Sequence, residues 1–353
     1  MPTKFSHSIS KSKRAGATPP RRVRLRWKQS HPLRTISCLA AILILTSLAL
    51  PSSAGQHKVT AVSLNEDDLD ATLVGSLTWR GGIVIAMDDP RFGGLSALRI
   101  SRDGRRLTAV TDRGHWFQAE LEYRNGNLSG LRKPRMHPIL GPDGKPLSRP
   151  WTDAESLADA GPDGLVVAFE QVHRLWRYDG VPDPSMARAR PIVAPDDMRE
   201  LPNNGGIEAL TRLCDGTLLA IAEKSRTRQG FVPGWIISGS NWRPLRYRIE
   251  SRLRPTGAAT LPGCDVILVE RSFSFLAGLD IRIVRIAASA IKAGAELVPK
   301  IIARLPNSLT IDNFEGIAVR RNGSGDTLIY ILSDDNFSLL QRTLLFMFRL
   351  DDD

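Results

Sequence analysis

The chain is short of the residues that most often announce chemistry on their own. Its 353 residues include three cysteines and six histidines, and aromatic side chains make up only 6%. Beyond the first 54 residues the histidines are His57, His115, His137 and His173, and none of them forms a pair at zinc-ligand spacing. No G-x-S-x-G elbow occurs. The nearest string, Gly94 to Leu98, lacks the second glycine, which argues against a serine hydrolase of the α/β type. Heptads, linkers and long amphipathic helices are missing as well, so coiled-coil and multidomain arrangements drop out. No acidic residue occurs in the first 54 positions, which instead carry ten Lys and Arg.

That basic segment leads into an apolar run from Ile36 to Leu50, followed by Pro51 and the small residues Ser52, Ser53 and Ala54. The pattern predicts a secretory signal over residues 1–54, cleaved near Ala54, and a mature chain 55–353 that is periplasmic or secreted. The apolar run is about 15 residues, short of the about 20 that span a bilayer, and an uncleaved anchor is the alternative. Arg21 and Arg22 invite a twin-arginine reading, but Lys28 and Arg34 intervene before the apolar run. Ten of the 48 bases leave with the leader, so the mature part holds 38 against 37 acids, and ten of the eleven formal positive charges belong to the leader. The mature chain therefore gives no reason to expect nucleic-acid binding or membrane attachment.

What is present is a repeat. Gly205 to Lys224 reads as a hairpin: an apolar strand carrying Glu208, a turn over Cys214, Asp215 and Gly216, then an aliphatic strand ending at Glu223. The pattern recurs at Gly94–Gly114, Asp153–Gln171, Thr256–Arg271 and Asn313–Asp335. Taking Ser96, Glu155, Glu208, Ala258 and Glu315 as matching positions, the period is roughly 50 to 59 residues, the spacing of four-stranded propeller blades. Two further strand-like runs follow each hairpin. After Asp334 only Thr343–Leu350 remains, so the strand His57–Leu64 is expected to complete the last blade and close the ring. The fold class is all-β, a β-propeller of five blades if Ala71–Met87 decorates the last one, or six if it begins another. Met136–Trp151 and Val181–Ala189 read as loops, and Ala287–Ala295 as one or two helical turns. Trp116, Trp151, Trp176, Trp235 and Trp242 read as packing between blades. Cys214 and Cys264 lie at the turns of successive repeats, where they either pair in an oxidising compartment or remain thiols.

Carboxylates inside buried strands need a cation, a donor or water. First strands line a propeller's channel, so Glu155, Glu208 and Glu315 converge near the axis. Asp112, Glu170, Glu223, Glu270 and Asp334 share a second repeat position, at the end of the next strand. Oxygen ligands without a Cys or His cluster suit a divalent cation, Ca²⁺ ahead of Mg²⁺, and all eight acids are candidate metal ligands. The opposing reading is that each acid caps backbone N–H groups of the next blade. Arg113, Lys224 and Arg271 each follow an acid directly and are candidates to hold a substrate anion. Glu155, Glu208 and His115 are the candidate catalytic bases.

These motifs, taken in order, resemble the bacterial esterase-like activity of phytase (phytase-like) family. The residues that carry the likeness are Phe92 to Ser96, Thr111 to Gly114, Asp153 to Glu155, Phe169–Glu170, Asn204 to Glu208, Ala222–Glu223, Val269 to Phe273, Asp312 to Gly316 and Ser333 to Phe337. The resemblance implies an exported β-propeller hydrolase. Combined with the acids, it leads us to expect a monomer that cleaves small phosphoester or carboxylic ester substrates with metal-activated water. A periplasmic binding or scaffold propeller without turnover, and a calcium-dependent lactonase, are the alternatives.

Overall fold

Runs such as Leu218–Ala222 and Gly164–Phe169 are buried at every position, because a strand inside a propeller blade has neighbouring blades on both faces. Tight turns close these strands into hairpins. Gly104, Gly216 and Gly325 take positive φ at three of them, and in the fourth repeat Cys264 takes that conformation at φ 74.

The computed structural model describes residues 56–351, apart from 162–163, 181–182, 226–229, 251 and 275–277. The expected signal over 1–54 lies outside these residues. Among the described residues, five sheets form five blades, antiparallel throughout except where Glu296–Leu297 adds a parallel strand to the outer edge of the third. Their innermost strands are Leu95–Ile100 (blade I), Ala154–Asp159 (II), Ile207–Arg212 (III), Arg254–Thr260 (IV) and Phe314–Arg321 (V). Each inner strand touches the next, and V returns to I, so the ring is closed.

Closure joins the two ends of the domain within blade V, but the strand paired with Thr343–Leu350 is Leu77–Met87. His57–Val62 pairs one place further out, on the other edge of Leu77–Met87. The blade count is thus five. Leu77–Met87 wins the inner place because it buries Leu77, Ile83 and Ile85, whereas His57–Val62 buries none of its residues. The Ala287–Ala295 segment holds only a 3₁₀ turn at Ala288–Ala290, and one helical turn not foreseen from sequence occurs at Asp196–Arg199. No helix among the described residues is long and apolar enough to cross a membrane.

Five hydrophobic clusters fill the five gaps between blades. Trp116 meets Tyr178 edge-on at 5.3 Å between blades I and II, and Trp235 is buried between II and III. Trp151 departs from the packing role expected of the tryptophans: it is 44% exposed, stacked on Trp176. Cys214 and Cys264 form a disulfide joining the inner turns of blades III and IV.

Close approach between inner strands has a sequence requirement. A Cβ on Gly257 would lie 2.3 Å from the Glu315 carbonyl oxygen across the IV–V seam, and backbone cannot yield as a side chain does. Gly257→Ala is expected to cost about 1–3 kcal/mol by overpacking, read as a lower Tm. Gly263→Ala, where an added Cβ meets nothing within 4 Å, is expected to leave Tm unchanged.

Candidate functional site

Every inner strand carries a register irregularity at the same place. The breaks fall between Leu95 and Ala97, Ala154 and Ser156, Ile207 and Ala209, Pro255 and Gly257, and Phe314 and Gly316. The extra residues are Ser96, Glu155, Glu208, Thr256 and Glu315. A β-bulge bends the strand and re-aims a side chain, and five of them around one axis build a ring. A second tier follows from the pairing on the neighbouring strand. The N–H groups of Asp112, Glu170, Glu223 and Asp334 donate to the carbonyls of Gly94, Asp153, Gly206 and Asn313 at 2.8–3.1 Å. In blade IV the equivalent pair is Arg271 with Arg254.

Blade IV therefore corrects two sequence assignments. Its bulge residue is Thr256, two positions before Ala258, and its second-tier residue is Arg271. Glu270 points to the other face of the pleat, where the Tyr247 hydroxyl donates to it at 2.8 Å and Arg282 lies 4.0 Å away. It is buried apart from the ring and is not placed to share a metal with the other acids. The reason is the period of two along a strand: a slip of one residue moves a side chain to the opposite face.

Of the other candidate metal ligands, Glu155, Glu170, Glu208 and Glu223 fall into close carboxylate groups, whereas Asp112, Glu315 and Asp334 keep to their tiers outside them. Arg271 Nη2 donates to Glu315 Oε1 at 2.5 Å, and Asn313 Nδ2 donates to the same oxygen at 2.9 Å. Gly206 N–H donates to Glu170 Oε1 at 2.5 Å. Lys224 pairs with Glu223 and donates to the Asn204 carbonyl at 2.6 Å. Gly94 has φ +61, and a Cβ there would lie 2.3 Å from Asp112 Oδ1, so only glycine allows this carboxylate its place. The Arg113 guanidinium lies over the Phe337 ring, 3.2 Å from its centroid. His115 does not join the ring. It lies on the third strand of the pairing order in blade I, with Arg91 and Asp89 as electrostatic neighbours; burial, then Arg91, holds its pKa below the usual value.

Sequence reasoning passed over Asp153 as a site residue. It stands two residues before Glu155, the same offset as Asn313 from Glu315, and that repeat of offset was its signal. Asp153, Glu155 and Glu170 each place a carboxylate oxygen within 4.8 Å of the others, as do Glu170, Glu208 and Glu223. Glu170 belongs to both triads. These acidic clusters can hold a metal, and their all-oxygen character selects a hard cation.

Eight carboxyl groups (Asp112, Asp153, Glu155, Glu170, Glu208, Glu223, Glu315 and Asp334) gather here, with Arg113, Arg149, Lys224 and Arg271 among the bases that act on them. Burial, then the charge of Asp153, pushes Asp112 up to about 7. Burial also lifts Glu170 to about 7 against the opposing Gly206 N–H bond. Glu155 and Glu208 rise well above the carboxylate range, through burial first and then through Glu208 and Glu223 respectively. Burial raises Asp334 strongly, helped by Glu315, and raises Glu315 itself against the pull of Arg271. Burial works against the charge of Arg271, but Glu315, Glu208 and Glu223 outweigh it and hold that pKa above its ordinary value.

Below the two tiers, Leu98, Leu157, Leu210, Ala258 and Ile317 occupy the next inward position of the five inner strands, and a cavity of about 120 Å³ there is lined by them together with Arg99, Asp159, Thr211, Arg212 and Thr260.

A carboxyl whose folded pKa exceeds its unfolded value holds a proton that the unfolded chain has lost. The metal-free protein should lose stability as pH rises from about 4 toward about 7, by at most about 1.4 kcal/mol per pH unit for each such group. Thermal melts in chelator across that window check the sign. Added Ca²⁺ should displace the protons and flatten the profile.

A model of the family described as esterase-like activity of phytase matches residues 90–337. No curated protein matches the sequence. Among solved structures, an α-L-arabinofuranosidase from Podospora anserina in complex with cellotriose superposes with a TM-score of 0.50 at 11% identity, over 78% of this chain and 97% of that one. A PQQ-bound aldose sugar dehydrogenase from Streptomyces coelicolor gives 0.42 at 11% identity, over 84% and 98%. The likeness to these structures is one of fold.

Proposed function

The chain belongs to the phytase-like family, described by the esterase-like activity of phytase, and from that membership and the acid ring we propose an exported hydrolase of phosphoester or carboxylic ester bonds, assisted by a divalent cation at the channel mouth. The observation that carries this reading is the sharing of Glu170 between two carboxylate triads. A cation among acids packed this closely relieves their mutual repulsion, and an all-oxygen set with several carboxylates suits Ca²⁺.

Such an ion, when bound, supplies Lewis acidity and a more acidic water. The chain's own residues do the rest. Arg271, anchored by Glu315, presents a fixed positive charge to an anionic oxygen of the substrate. Glu208 and Glu155, half-buried and made basic for carboxylates by desolvation and then by neighbouring acids, are placed to take a proton from water. Lys224 balances Glu223. Export is supported by the acid-free basic leader and by the Cys214–Cys264 disulfide, a bond that persists in oxidising compartments. We take the working unit to be a monomer acting on small-molecule esters.

The exported protein should begin near Gly55, read by mass spectrometry of periplasmic and culture fractions. It should hydrolyse p-nitrophenyl phosphate or p-nitrophenyl acetate, lose activity in EDTA and recover it with Ca²⁺. Glu170→Gln removes the shared ligand and should weaken Ca²⁺ binding at least about tenfold. Saturating Ca²⁺ should raise wild-type Tm, by about 2.7 kcal/mol of added stability at a hundredfold excess over Kd. Activity and Tm that both ignore chelator would remove the metal from the mechanism, and tight binding without turnover would leave a scaffold.

A further inference from the structure

Blade IV breaks the pseudo-fivefold pattern of the second tier: where the other blades place Asp112, Glu170, Glu223 and Asp334, it places Arg271. The same residue lines a cleft of about 740 Å³ between blades IV and V, within the range of about 300–1,000 Å³ typical of small-ligand pockets. We propose that this cleft holds the organic part of the substrate, and that the substrate is an amphipathic monoester, with one anionic head at Arg271 and an aryl or branched-alkyl body in the cleft. This rests on the hydrolase reading above and names its substrate class.

Arg271 has donor capacity to spare. One Nη is committed to Glu315, while its buried Nε has no hydrogen-bond partner. Asn313, also bonded to Glu315, lines the cleft beside it. The polar wall is held in place by its own bonds: Asn336 Nδ2 donates to Gln341 Oε1 at 3.2 Å, Gln341 Nε2 to Asp312 Oδ1 at 3.4 Å, and the Arg342 N–H to Asp312 Oδ2 at 2.9 Å. The apolar wall is bare. Phe273 is 65% exposed and Leu340 95% exposed, and half-buried Leu279 lines the cleft with them. Large apolar side chains left open around a concave site call for an apolar guest.

A compact anion can rest on Arg271, the one base of its tier; the Arg342 guanidinium lines the same cleft, 3.9 Å from Asp312.

The test is calorimetric binding of two non-hydrolysable probes, 1-naphthylphosphonate and methylphosphonate, in calcium-containing buffer. Wild type should prefer the naphthyl probe by about tenfold or more. The double variant Phe273→Ser with Leu340→Asp, both at exposed positions, should keep the wild-type Tm and lose that preference. Equal affinities in wild type, no binding of the naphthyl probe, or a preference that survives in the double variant would overturn the proposal. So would altered sedimentation of the variant with naphthyl affinity intact, which would make the patch a contact between copies. If no ester is turned over but the preference appears and is lost as described, the cleft assignment stands and the hydrolase reading falls. If esters are hydrolysed at rates indifferent to the apolar body, the hydrolase reading stands and this proposal falls.

Discussion

Like charges held within a few ångströms of one another, in surroundings that solvate them poorly, are the constraint on which the rest of this structure depends. Five bulged strands aim their extra residues at one axis, and three of those residues are glutamates. A chain that buries so many carboxyl groups has to protonate them, pair them or give them a cation. It does some pairing itself, through Arg271 with Glu315 and Lys224 with Glu223. Hydrogen bonds from the Gly206 and Asn336 N–H groups take up oxygens of Glu170 and Asp334, and Asn313 donates to the same Glu315 oxygen as Arg271. The remainder is left to whatever enters from the open face. The five interblade clusters supply the stability that permits this concentration of like charge.

The ring is rigid in a way that separates scaffold from chemistry. Bulge and pairing geometry fix where each side chain of a tier stands, while the residue type at each place is free to differ between blades. Ser96 and Thr256 occupy positions taken elsewhere by glutamate, and Arg271 occupies one taken elsewhere by acids. Such exchanges leave the backbone unchanged and redistribute the charge, which is how one fold carries unrelated chemistries.

Much of the architecture was legible because hairpins of buried aliphatic runs around Asp-Gly turns leave a strong trace. The strands Phe231–Ser238 and Thr343–Leu350 can be read off residue by residue. The choice between five and six blades was not legible, since Leu77–Met87 and His57–Val62 are both strand-like and only burial decides which sits inside. The site was legible where an acid interrupts an apolar strand, as at Glu208 and Glu315. It was misread in blade IV because neither Thr256 nor Arg271 is an acid, so the neighbouring Glu270 looked equivalent to Glu223 when Arg271 was. Asp153 escaped notice since an acid just ahead of a strand resembles an ordinary turn residue. The pairing of Cys214 with Cys264 needed the spatial adjacency of two blades, which spacing alone leaves open.

Closing a ring with strands from both ends has a consequence in time. Leu77–Met87 can pair at once with His57–Val62 on one edge, but its other edge waits for Thr343–Leu350. At a synthesis rate of about 5–20 residues per second, that partner appears on the order of 10–50 s later. Throughout the interval the strand presents Trp79, Ile83 and Ile85 beside a row of unsatisfied backbone groups, the combination that recruits other chains. The finished molecule has no such edge on that side. Its hazard belongs to biogenesis, and a carrier that holds the nascent chain until the last strand arrives would matter more to yield than any contact made afterwards.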